Sequence, residues 1–214
     1  MDRPRLATDL FLVAHDEFSG RLRFSADLLG CGLVGALLAE LVAADRVVVE
    51  SGRVLSTDAR ADGTDELGDY VVDAIRRQDT THTVRAWVDV LRDVLPGLVA
   101  DRLVDEGVVR REEGGRLLRR RPDRFPASDL LAASRPRLRL AQMVRSPQEF
   151  DLAGAMLAVL LGALGVESVL EPDLDRYALR DIVHRLEENL PADLRAVFQG
   201  VRAAVAAVSL TVRR

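Results

Sequence analysis

Residues 19–50, SGRLRFSADLLGCGLVGALLAELVAADRVVVE, decide the fold of this chain. Arg21-Leu22-Arg23-Phe24 alternates polar and apolar side chains, the pattern of a half-exposed strand or turn. Ser25 stands where an N-cap would stand, with Asp27 in the first turn to complement the helix dipole. Residues 28–39 carry no charge, and their apolar side chains cover every face. A helix of that kind belongs in the middle of a domain. Charge returns at Glu40, and the helix is expected to end near Asp45. Val47-Val48-Val49, Ser51-Gly52 and Arg53-Val54-Leu55 then read as a hairpin. A central buried helix delivering a hairpin is the first expectation.

Within that helix Gly30, Gly32 and Gly35 satisfy G-x-G-x-x-G, and Glu50 follows about 20 residues on, as a dinucleotide fold requires. The context argues otherwise. The strand before such glycines is normally buried on both faces, yet Arg23, Ser25 and Asp27 alternate through this one. No further strand–helix alternation builds a parallel sheet. The simpler reading is that small residues let a second helix come close. Dinucleotide binding through Gly30, Gly32 and Gly35 stays as an alternative.

The chain has 214 residues, of which 48% are apolar and 4% aromatic, enough to bury a sizeable core. Lysine is absent and every basic residue other than the three histidines is arginine, a usage that a GC-rich genome explains. The net charge of −4 disfavours nucleic acid as the principal partner. The single Cys31 excludes a disulfide framework and a thiolate metal site. The N-terminus lacks the apolar run of a signal peptide, and residues 152–166 fall short of a membrane span. These features predict a soluble cytoplasmic protein that touches a membrane only from its surface, at the inner face.

Leu6, Leu10 and Val13 predict a short helix from about Thr8, followed by a turn over residues 16–20. Residues 57–68 read as a polar loop, and Leu67, Val71, Val72 and Ile75 as one helix face. After a break at residues 80–82, Val84, Trp87, Val88, Leu91 and Leu95 form a stripe. Pro96 then stops that helix and opens the next, which runs to Gly107. A second hairpin is expected with Val108-Val109-Arg110 as one arm, a turn at residues 112–115, and Arg116-Leu117-Leu118 as the return. Each helix-plus-hairpin unit also fits the helix and wing of a winged-helix DNA binder, a further alternative. Residues 110–145 hold eleven arginines against four acids, a bias that attracts phosphate or acidic membrane. Pro122, Pro126 and Pro136 punctuate a connection. Residues 146–149 read as a helix start for the stripe Leu152, Met156, Leu157, Leu160 and Leu164. Leu179, Ile182, Val183 and Leu186 mark one more helix, and Pro191 opens the last, with Leu194, Val197, Phe198, Val201, Val205 and Val208 buried.

Chemistry is scarce. His15, His82 and His184 are far apart, no H-E-x-x-H, G-x-S-x-G or Walker loop occurs, and no metal or cofactor is expected. The acid pairs Glu112-Glu113 and Glu187-Glu188 suit solubilising charge better than acid–base work. A non-enzymatic role follows.

Ser19-Gly20 through Phe24, Gly32-Leu33-Val34-Gly35 with Glu40-Leu41, residues 83–91 (TVRAWVDVL), residues 103–109 (LVDEGVV) and the apolar residues 203–210 together resemble the Golgi phosphoprotein 3 family, which includes bacterial members. Their order covers nearly the whole chain. The elements read as a mainly α, single domain over residues 1–214 with two short β-hairpins. The resemblance implies a mostly helical domain around a buried helical core with a protruding hairpin used in self-association. It further implies a peripheral membrane or adaptor protein that binds the headgroup of phosphatidylinositol 4-phosphate. In the family an aromatic and several basic residues hold that headgroup. Here the aromatic position after Phe24 is Ser25, the basic position between Leu33 and Gly35 is Val34, and Arg92 is the nearest remaining cation. Arg21, Arg23, Phe24, Ser25 and Arg92 are therefore the candidate residues for an altered anionic-lipid site. The family's self-association hairpin maps to Val108, Val109, Leu117, Leu118 and Arg120, implying a homo-oligomer beside an unidentified protein client.

Overall fold

Apolar side chains on every face of residues 28–39 must be covered from all sides, and the architecture follows from that demand. A computed structural model describes residues 5–59, 65–114, 122–145, 151–170 and 174–211. Helix α1 (Leu6–Ala14) packs along α2 (Ala26–Ala43), the predicted central helix. The Ser25 side chain accepts from the Leu28 N–H at 3.3 Å, as its N-cap position requires. The helix closes where Asp45 turns left-handed at φ 55 and the Arg46 N–H reaches back to the Leu41 carbonyl. α2 is long and apolar enough to cross a membrane, but it is wrapped here by protein on most of its surface.

The glycines lie inside α2, not in a loop before it. A Cβ on Gly30 would fall 2.4 Å from the Arg92 carbonyl oxygen, and one on Gly35 would fall 2.4 Å from a Val201 methyl. They are close-approach positions for neighbouring helices. Glu50, moreover, lies on an antiparallel strand. Both findings overturn the dinucleotide alternative.

Strands β1 (Val47–Glu50) and β2 (Arg53–Ser56) form the predicted hairpin, with Val48 opposite Leu55 and Glu50 opposite Arg53. Ser51 and Gly52 both take positive φ, 50 and 75, the two-residue turn whose twist matches its strands. A short third strand, β3 (His82–Thr83), pairs antiparallel with β2 where only a helix break was expected. Between them runs α3 (Glu66–Arg76), burying Leu67, Val71, Val72 and Ile75. Thr83 caps α4 (Val84–Leu91), and Pro96 lies in the first turn of α5 (Leu95–Asp105), so Leu95 opens α5 instead of ending the stripe of α4. Gly107 at φ 70, with the Val108 N–H bonded to the Leu103 carbonyl, repeats the closure seen after α2.

The second hairpin is wider than expected. Val109 bridges Ala127 and Glu112 bridges Arg124, so Glu112 is paired and the return arm is residues 124–127. Glu112 therefore does not start the turn. Leu117, Leu118 and Arg120 lie outside the described residues. Beyond it the expected connection is a helix, α6 (Leu130–Arg145), with Pro136 inside. Asp129 caps it by accepting from the Leu131 and Ala132 N–H groups at 3.0 Å each. Ala133, Pro136, Leu140, Met143 and Val144 form its buried stripe, whose burial outweighs the backbone bond that proline removes.

Asp151 caps α7 (Leu152–Ala163); the expected start at residues 146–149 lies outside the described residues. A 3-10 turn over Glu167–Val169, α8 (Arg176–Glu188) and α9 (Ala192–Thr211) complete the fold. α9 lies against α2 and α4, with Val197, Phe198 and Val201 wholly buried. The result is mainly α with one small antiparallel sheet, built on a continuous apolar core.

Candidate functional site

Ala7, Leu10, Phe11 and Ala14 seat α1 in the core, and this seating carries His15, itself 7% exposed, to the edge of the domain. Phe11 stacks on His15 at 4.2 Å, and Phe125 meets both rings edge-on at 5.3 and 5.5 Å. The return arm of the second hairpin is bound here by backbone hydrogen bonds. The Phe125 N–H donates to the Gly20 carbonyl and the Ala127 N–H to that of Glu17. Gly20, at φ 63, sits so close to Phe125 and Pro126 that no side chain fits. The turn after α1, the start of α2, the first turn of α5 and the hairpin thus line one half-open cavity of about 670 Å³.

Phe11, His15, Leu29 and Ala100 are its buried floor, and Leu22, Phe24, Pro96 and Phe125 its half-buried walls. Arg21, Arg111 and Arg124 stand toward the mouth with Asp123. Arg111 is already engaged: it binds Asp101 at 2.8 Å, lies 3.9 Å from Asp123, and sits 5.5 Å over the Phe125 ring. Arg21 and Arg124 form no ion pair among the described residues. α5 has no side-chain N-cap, and Gly97 of its first turn lines the cavity, which leaves the positive end of that dipole at the rim. The opening is therefore cationic and the interior apolar.

His15 Nδ1 lies 2.8 Å from the Phe11 carbonyl oxygen. A carbonyl only accepts, so Nδ1 carries the proton and Nε2 presents its lone pair. Burial, with a further push from Arg23 against the Phe11 hydrogen bond, lowers the pKa and keeps the ring neutral at neutral pH.

The five candidate residues separate. Arg21 and Phe24 line the cavity. The Arg23 guanidinium turns away, bound to Asp16 at 3.1 Å, Glu17 at 2.8 Å and the His15 carbonyl at 3.3 Å. The Ser25 hydroxyl is spent on capping α2. Arg92 packs its carbonyl on Gly30, and its Nε is buried 3.9 Å from Asp93 without a hydrogen bond. Cys31 beside it is buried, and burial pushes its thiol up. Arg124, Phe125 and Phe11 were not singled out by sequence, and His15 was set aside there as an isolated histidine. Only the arginine bias of residues 110–145 pointed toward one of them.

A second, polar groove of about 800 Å³ between α7, α8 and α9 holds Arg180, Arg195 and Arg202. Its cations are already spent: Arg180 on Glu167, Arg202 on Glu187, and Arg195 on the Glu188 and Leu190 carbonyls. Val109 is buried in the core and Val108 packs partly against it, which puts both behind the hairpin's outer face. The family model of Golgi phosphoprotein 3 matches residues 6–208. Comparison with curated proteins finds no match.

Proposed function

The chain belongs to the Golgi phosphoprotein 3 family, and from that premise we propose that it is a non-enzymatic peripheral membrane adaptor. It docks on anionic lipid through the cationic mouth of the cavity beneath the second hairpin. The observation that carries this reading is the pair Arg21 and Arg124, two guanidiniums without acidic partners among the described residues, at the rim of a cavity with an apolar interior. A phosphate binds such a pair through charge-assisted, bidentate hydrogen bonds that a neutral surface cannot offer. Arg135, on α6 and likewise without an ion pair among the described residues, adds to the diffuse attraction of an acidic leaflet. Arg23 and Ser25, being engaged elsewhere, support the site's framework and not the lipid, and Arg92 does not line the cavity. The protein acts at the cytoplasmic face of the membrane, and it self-associates through the second hairpin.

Flotation of the purified protein with neutral vesicles, with vesicles containing phosphatidylserine, and with the latter plus phosphatidylinositol 4-phosphate tests this. Binding to both anionic mixtures, weakened between 50 and 300 mM salt on the order expected for screened surface charge, is the result expected. Equal recovery with neutral and anionic vesicles would refute it.

A further inference from the structure

The mouth explains attraction to an anion, but not why the space behind it is walled by Phe11, Leu22, Phe24, Leu29 and Phe125. An anion alone would leave that interior to water against apolar walls. The cleft is half open, and its volume of about 670 Å³ falls within the range of small-ligand sites. One hydrocarbon chain with a compact head fills that volume. The wall also holds one ring nitrogen without a protein partner. His15 Nε2 has no hydrogen-bond partner among the described residues, and its residue, 7% exposed, lines the cavity. The atom keeps enough access to take a donor from water or from a ligand in the cavity.

We propose that the cavity binds a single-chain, hydroxyl-bearing anionic lipid, of the monoacylglycerol phosphate type. Its chain lies among Phe11, Leu22, Phe24, Leu29 and Phe125, its hydroxyl donates to His15 Nε2, and its phosphate is held by Arg21 and Arg124. This deepens the reading of the same site as an anionic-lipid site: the headgroup contact and the chain contact belong to one ligand. The ligand's three chemistries map onto three separate features of the pocket, each unexplained by the others.

The test is calorimetric titration of the intact protein with monoacylglycerol phosphates of 8, 10 and 12 carbons, below their micelle concentrations. Controls are a monoacylglycerol without phosphate and the matching deoxy lipid without the free hydroxyl. Burial of each methylene is worth up to about fourfold in affinity, so each two-carbon step should tighten binding by as much as about fifteenfold. Removal of the phosphate should weaken binding at least tenfold, and removal of the hydroxyl about fivefold. Leu22→Trp, at a half-buried wall position, should fill the cavity and abolish chain-length dependence while far-UV circular dichroism stays unchanged. Equal affinity for all three chain lengths overturns the proposal, as does a folded Leu22→Trp protein that retains the full series. The two readings fail separately. Flotation on anionic vesicles with a flat chain series leaves the membrane role and removes the lipid cavity. A steep chain series without flotation does the reverse.

Discussion

Replacing Glu40 by Gln should stabilise the protein at neutral pH. Glu40 ends the apolar run of α2, and its carboxylate oxygen accepts the Ala7 N–H at 2.7 Å. That bond supplies the N-terminal cap that α1 lacks, since Arg5 offers no side-chain cap. Burial is the main force on the carboxyl, with Asp65 and Asp9 adding to it against Ala7 and Arg102. Together they push its pKa from 4.5 up to about 8. The folded value lies above the unfolded one, so the group's contribution is fully present below pH 4.5 and is lost as pH rises through 8. At pH 7 the unfolded chain has ionised Glu40 and the folded chain has not, a difference of about 3 kcal/mol at most. Partial exposure of the side chain trims this to about 2 kcal/mol. Glutamine keeps the shape and the accepting oxygen and carries no charge at any pH. Glu40→Gln should therefore gain about 2 kcal/mol at pH 7, on the order of 5 °C in Tm, and under about 1 kcal/mol at pH 5. Urea denaturation followed by far-UV circular dichroism at both pH values measures it, read as the midpoint shift at constant slope. A variant less stable than the parent at pH 7, or an equal gain at pH 5 and pH 7, would refute the reasoning.

Other substitutions separate the forces that hold the fold. Phe198→Ala, at a wholly buried position on α9, should cost about 4 kcal/mol in urea denaturation through the cavity it leaves. Asp69→Ala should cost about 3 kcal/mol, because Arg46, only 7% exposed, loses the carboxylate 2.6 Å away. Adding Arg46→Met to that variant should restore most of the loss. Burial alone would raise the Glu167 carboxyl, but hydrogen bonds from its own backbone, Arg180 and Arg176 outweigh it and hold it below its ordinary 4.5. Its contribution is thus present above pH 4.5 and lost as pH falls through the lowered value. Glu167→Gln should cost about 1 kcal/mol at pH 7, and the cost should shrink as pH falls below 4.5, checked by thermal melts across that range.

The elements that sequence revealed are those whose pattern is local. The apolar run of residues 28–39, the Ser25 cap and the Ser51-Gly52 turn each state their own structure, and α2 with its hairpin formed as expected. α6 was missed because Pro136 reads as a stop, although Ala133, Leu140 and Met143 carried the helical period beside it. The second hairpin was drawn too narrow because its register depends on where residues 124–127 dock, and the turn after α1 sets that from a hundred residues away. Charge misled in the same manner. The arginine excess of residues 110–145 ignores acids that arrive from elsewhere: Asp101 meets Arg111, Glu17 meets Arg137, and Asp9 and Asp151 meet Arg139. What distinguishes Arg21 and Arg124 is that they line the cavity and have no acidic partner among the described residues, a property of the fold and not of the local sequence.

The most direct test of the account is the partition coefficient on vesicles containing phosphatidylserine, compared between the parent protein and the Arg21→Ala/Arg124→Ala double variant. Each well-placed arginine contributes about 1 kcal/mol at an acidic surface, so removing the pair should lower partitioning about thirtyfold at physiological salt. An Arg110→Ala/Arg139→Ala control removes two cations that already pair with acids, and it should shift partitioning by less than about threefold. A large loss in the double variant alone is the predicted result. Equal partitioning of all three proteins would contradict the account, since the mouth of the cavity would then not be where the protein meets the lipid.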